Sequence, residues 1–163
     1  MLEELATKAE YSPLVAYCQI VDITGKSFLQ GEVRGLGLKS GAIASTVAHD
    51  SHNLIVAGVS DSDMLLAVRA LADCGGGFVC VRDGWVLNLV PLPLAGLMSD
   101  EEPEIVAAGL DGLNASAREL GCPENINPFM QLSFLSLPVI PRLRLTDRGL
   151  VDVEAFAPVS LSG

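Results

Sequence analysis

The sequence predicts an α+β fold: a mixed β-sheet packed with two main helices in a single compact domain. Three observations carry that expectation. Short apolar runs rich in β-branched residues occupy positions 14–22, 42–48 and 54–59. Two longer stretches, after Ser60 and after Ser99, repeat apolar residues at helical intervals. Strand and helix signals alternate irregularly, without the regular βαβ rhythm of a doubly wound sheet and without an internal repeat. Half of the 163 residues are apolar, enough to build one core. Residues 1–13 are expected as an N-terminal lead-in and residues 14–163 as the domain.

Taken in order, residues 1–10 (MLEELATKAE) read as a short polar helix or a frayed start, and LVAYCQIVD as the first strand. ITGKSFLQG is expected as a loop. The following segment carries Gly35, Gly37 and Gly41, which points to tight turns or close backbone contact. AIASTVA is a strand of small residues that runs into a polar string, AHDSHN, and LIVAGV is a buried-type strand beyond it. Ser60 or Asp61 is placed to cap a helix whose apolar face is Met64, Leu65, Val68, Leu71 and Ala72, ended by the Gly75–Gly77 run. FVCVRDGWVLNLV is a hairpin about Asp83-Gly84, a favoured two-residue turn. Ser99 and Glu102 have capping-box spacing before a second helix, with Val106, Leu110, Leu113, Ala117 and Leu120 on one face and Gly121 at its end. The last forty residues give one or two strands, a Pro-punctuated crossing segment and a turn at Asp147-Arg148-Gly149.

A formal charge of −10 opposes binding to a phosphate backbone, and the only three lysines are scattered. Nucleic acid and anionic membrane surfaces are therefore excluded as expected partners. Apolar runs such as 85–98 are broken by Asn88, Pro91, Pro93 and Gly96, and none reaches the ~20 residues a bilayer span needs. No basic segment followed by an apolar one stands at the N-terminus, so a cytoplasmic location is expected. Cys18, Cys74, Cys80 and Cys122 show no C-x-x-C spacing and are expected as small apolar residues of a reduced protein.

The chain has two histidines, His49 and His52, both inside AHDSHN. On an extended strand side chains three positions apart face opposite sides, so the imidazoles converge only if Asp50-Ser51 make a turn. A catalytic metal site needs about three protein donors. His49 and His52 are the candidate ligands here, and a third has to come from Asp50, Asp61, Asp63 or a more distant carboxylate. The plainer alternative has Asp50 and Asn53 capping a turn to which the histidines hydrogen-bond. A third treats His49, Asp50, Ser51, His52 and Asn53 as a polar loop that positions a water or pairs with the edge of a purine. Other motifs are weaker. The Gly75–Gly77 run lies at a helix C-terminus, the wrong end for phosphate, and Gly35-Leu36-Gly37 precedes no helix. Ser45 and Ser99 lack the G-x-S-x-G setting of a nucleophile, and the acidic residues at 100–104 suit a helix start.

Four strings in order, GLGLKSGAIASTVAHDSHNLIVAGVSDSDM, GGG, LPLAGLMSD and PFMQLSFLSLPVIPRLRLTDRGLVDV, closely resemble the C-terminal domain of adenine deaminase, from about residue 14 to the end. That resemblance implies an amidohydrolase-superfamily hydrolase that converts adenine and water to hypoxanthine and ammonia. It implies manganese or iron held in an upstream TIM barrel with an H-x-H strand motif. The His49-x-x-His52 spacing is not H-x-H, and 163 residues leave no room for a barrel of ~250. No catalytic residue and no certain cofactor is therefore expected within this chain, and the chain alone is expected to show no appreciable deamination. Two roles follow. In one, the chain is an accessory domain whose partner is the catalytic barrel, with residues 49–53 at the active-site mouth. In the other, a short stand-alone relative serves as a non-catalytic ligand-binding or homo-oligomeric module, with a purine as the possible ligand.

Overall fold

A computed structural model describes residues 15–21, 28–49 and 51–159. Six strands form the main sheet: β1 (Val15–Val21), β2 (Phe28–Arg34), β3 (Ala42–Ser45), β4 (Leu54–Gly58), β5 (Gly77–Arg82) and β6 (Trp85–Pro91), in spatial order β2-β1-β4-β3-β5-β6. Every described pairing is antiparallel. β4 and β5 nevertheless run in the same direction, one on each side of β3, and helix α1 (Asp61–Cys74) crosses between them. Helices α2 (Pro103–Glu119) and α3 (Pro128–Phe134) follow, and a second sheet of β7 (Leu143–Thr146), β8 (Gly149–Asp152) and β9 (Ala157–Pro158) completes the domain. This is the α+β architecture expected, with a third short helix added and with antiparallel pairing throughout the described strands in place of a mixed sheet. Among the described residues no helix is long and apolar enough to cross a membrane.

Both faces of the sheet are covered, so its central strands are buried along their whole length rather than alternating polar and apolar. Ala42, Ala44, Val56, Val79 and Val81 point towards Met64, Ala67 and Leu71 of α1. Ile43, Ile55, Ala57 and Cys80 point the other way, towards Leu113, Ala117 and Leu120 of α2 and its C-cap, and Phe129 and Leu132 of α3. Burying a Met64- or Leu71-sized side chain contributes about 1.5–3 kcal/mol each. The expected α1 face is rotated: Leu65 and Ala72 are exposed, and Ala67 lies against the sheet. Close approach of the helix to the small residues of β3 suits an alanine at that contact, and Leu65, two residues earlier, falls on the opposite, solvent side.

One cap and one turn form as expected. The Ser60 side chain accepts from the Asp63 N–H at 3.4 Å, and Asp83 and Gly84 both take positive φ, the geometry of a two-residue hairpin turn. The expected capping box does not form. Ser99 Oγ accepts from the Glu101 N–H at 3.1 Å, and Pro103, whose fixed φ suits a first helical turn, sets the start of α2. The ITGKSFLQG loop is also corrected, since Phe28 to Gly31 belong to β2. A Cβ on Gly31 would lie 3.3 Å from Leu145 of β7, so that glycine makes room for the small sheet instead of marking a turn. The expected helix at residues 1–10, residues 14 and 22 of the expected first strand, and residues 23–27 of the expected loop lie outside the described residues.

Candidate functional site

Residues 46–53 connect β3 to β4 at one end of the sheet. β3 stops at Ser45, three residues earlier than its composition predicts, because the buried Ser45 hydroxyl accepts the Val47 N–H at 2.9 Å and turns the chain out of the sheet. Thr46 then joins three segments. Its N–H donates to the Gly77 carbonyl at 3.1 Å, its Oγ1 accepts from the Gly77 N–H at 2.8 Å, and the same hydroxyl donates to the Gly96 carbonyl at 2.6 Å. Residues 93–98 are thereby fastened beside the histidine loop. A Cβ at Gly76 would stand 2.5 Å from Gly96 Cα and 2.8 Å from Thr46 Oγ1, so the crossing needs glycine.

The turn that the histidine spacing requires is present. His52 N–H donates to the Ala48 carbonyl at 2.7 Å, and His52 itself adopts φ 51°, a left-handed conformation that histidine enters more readily than bulkier residues. The two rings come within 6.2 Å, centroid to centroid, tilted by 56°. Asn53 is buried, Ser51 is exposed, and Asp50 lies outside the described residues. His52 Nδ1 is buried with no hydrogen-bond partner among the described residues. An unpaired buried nitrogen costs about 1–3 kcal/mol, which is commonly tolerated where a partner completes it.

Helix α3 is the platform beneath the loop. Asn127 Oδ1 caps it through the Met130 N–H at 3.0 Å, Pro128 starts it, and Phe129, Leu132 and Ser133 form its buried face. The Ser133 carbonyl accepts the His49 N–H at 3.2 Å, and Ser136 Oγ donates to the His49 carbonyl at 3.4 Å. The His49 ring stacks on Phe134, with centroids 5.4 Å apart and planes within 20°. Beside it opens a largely apolar cavity of about 250 Å³ lined in part by His49, Asn114, Asn127, Phe129, Met130 and Ser133. Around this end of the sheet Leu94, Met98 and Met130 are each about half exposed or more.

The described residues do not supply a hydrolytic metal centre. No group of three His, Cys, Asp or Glu side chains among them gathers where a metal could sit. Asp61 and Asp63, weighed as third ligands, start α1 at the far end of the five-residue β4, roughly 15 Å from the histidines at strand rise. Asp63 is also committed, since its two carboxylate oxygens accept from the Asp83 and Gly84 N–H groups at 3.1 and 2.9 Å. Four cysteines are free among the described residues, and burial pushes the Cys18 and Cys80 thiols up to about 12 and Cys122 to about 11, so none of the three is a ready nucleophile. Spacing singled out the histidine string, but not Thr46, Phe134 or Ser136, which hold it. Their partners are remote in sequence and have no local pattern.

Comparison with known proteins bears on what this arrangement serves. The chain is 60% identical over 131 residues to the adenine deaminase of Moorella thermoacetica, and 59% identical over 132 residues to adenine deaminase 2 of Carboxydothermus hydrogenoformans. An adenine deaminase of Clostridium botulinum is 51% identical over 138 residues. These alignments cover 80%, 81% and 85% of this chain but only 22–23% of each relative, so the chain spans less than a quarter of the length of the proteins it matches. The family model of the adenine deaminase C-terminal domain matches residues 4–157, nearly the whole sequence, and the chain belongs to that family.

Proposed function

We propose that this domain works as the C-terminal part of an adenine deaminase, which hydrolyses adenine to hypoxanthine and ammonia, and that it presents the 49–53 loop to a catalytic domain. One observation carries the proposal: two imidazoles on a turn braced from three sides, at an end of the sheet ringed by exposed Leu94, Met98 and Met130. Exposed apolar side chains gathered beside polar groups mark a surface that meets another domain. The manganese or iron implied by the resemblance belongs to the catalytic barrel in this reading, and no bond-making step is assigned to residues of this chain. His49 and His52 position substrate or water at the active-site mouth, and Asp50 orients an imidazole. His52 Nδ1, without a hydrogen-bond partner among the described residues, leaves room for one arriving across the interface. Free thiols fit a reducing, cytoplasmic setting.

The test is His49→Ala and His52→Ala in the complete enzyme, with steady-state kinetics on adenine and metal analysis. A fall in turnover with metal content unchanged is expected. Wild-type turnover and metal content in both variants would remove the role.

A second reading, self-association, rests on a different surface. Trp85 is 75% exposed on the edge strand β6, with Val86 exposed beside it. An uncharged edge of this kind favours pairing with another copy. Sedimentation of the wild type against Trp85→Lys decides it: a dimer lost on substitution supports the reading, and a wild-type monomer removes it.

A further inference from the structure

We infer that Phe134 and Ser136 are positioning residues for His49, acting through its imidazole and backbone; the inference rests on the proposed role of the 49–53 loop. A histidine that handles a substrate is usually aimed by a hydrogen bond to its second ring nitrogen. Among the described residues His49 has no such bond. What fixes it instead is helix α3 and the turn that follows. The backbone of His49 is held on both sides, N–H to the Ser133 carbonyl at 3.2 Å and carbonyl from Ser136 Oγ at 3.4 Å. The ring plane is then set by Phe134, nearly parallel at 5.4 Å.

This geometry has a chemical consequence. The χ2 torsion of histidine is soft and roughly two-fold, so an unsupported ring swings among planes, and a half-turn puts Cδ2 in the place of Nδ1 and Cε1 in that of Nε2. A stacked face holds the ring in one plane and leaves both nitrogens, which lie on the ring edge, available to a substrate or water. Stacking therefore sets the ring plane without occupying a nitrogen, a function that a hydrogen bond to the ring cannot perform. The platform is itself anchored, since Leu132 is fully buried, Ser133 Oγ donates to the Met130 carbonyl at 2.8 Å, and Asn127 caps the first turn. Preorganisation of this kind depends on such locked supports.

The test has two arms. In the 163-residue chain, NMR of the His49 ring protons reads the stack directly. Phe134→Leu, which keeps apolar volume, is expected to abolish the ring-current shift, and Phe134→Tyr to preserve it. An unshifted His49 ring in the wild type overturns the inference. In the complete enzyme, Phe134→Leu and Ser136→Ala are expected to lower kcat for adenine on the order of tenfold, with KM less affected and Phe134→Tyr close to wild type. The double variant His49→Ala/Phe134→Leu is expected to be no worse than His49→Ala alone, because both changes remove one function. If His49→Ala impairs turnover while Phe134→Leu and Ser136→Ala do not, the positioning role is overturned and the loop's role stands. If His49→Ala is itself silent, both fall, even where the ring shift is intact.

Discussion

Thr46→Val is a sharp perturbation because valine keeps the shape of threonine and removes only the hydroxyl. That hydroxyl accepts from the Gly77 N–H and donates to the Gly96 carbonyl, and both glycines are buried. Losing two ordinary hydrogen bonds costs about 1 kcal/mol each, and leaving a buried N–H unsatisfied raises the total to about 2–4 kcal/mol. Urea unfolding at unchanged m-value should show that loss as a lower midpoint. Amide exchange should show where it arises, with faster exchange at Gly77 and through residues 93–98. Thr46→Ser, which keeps the hydroxyl, should recover most of the stability. A Thr46→Val protein within about 0.5 kcal/mol of wild type, with Gly77 still protected, would refute the claim that this side chain fastens the two loops.

At the other end of the sheet, Asp63→Ala removes a carboxylate that takes two backbone N–H groups of the β5–β6 turn. Those donors lie in an exposed turn and regain water, so the expected cost is about 2 kcal/mol, near the lower end for a charged acceptor. The His49 and His52 ring signals should be unchanged, since the two sites are at opposite ends of β4. The raised thiols give a pH dependence. The folded state keeps protons on Cys18, Cys80 and Cys122 that the unfolded state loses near pH 9, so stability present below pH 9 should fall as pH rises towards 11–12. Each thiol contributes at most about 1.4 kcal/mol per pH unit to that slope, and chemical denaturation between pH 8 and 11 measures it. Mild alkylation of the folded chain at pH 8 should modify Cys74 first, because it is the one cysteine only partly buried. Mass mapping reads the order.

Local chemistry made much of this fold legible. Apolar runs located β1, β3 and β4, the Asp83-Gly84 pair located the hairpin, and Ser60 located the start of α1. The misses share a cause. The segment ending at Gly31 resembled a loop because the reason for that glycine, room for Leu145, is a contact across more than a hundred residues. Helix α3 is seven residues long and flanked by prolines, too short for periodicity to register, although Asn127-Pro128 is a fair start signal. The candidate site divides in the same way. The crowding of both histidines into one string is visible in the sequence, and so is the turn they require. Thr46, Phe134 and Ser136 bind that string to distant segments, and only the folded chain brings them together.

The most direct measurement is hypoxanthine formation from adenine by the purified 163-residue chain in excess Mn²⁺ or Fe²⁺. Two imidazoles without a third gathered donor among the described residues should leave the rate at the uncatalysed background. Sustained, enzyme-concentration-dependent hypoxanthine release by this chain alone would contradict the division of labour proposed here.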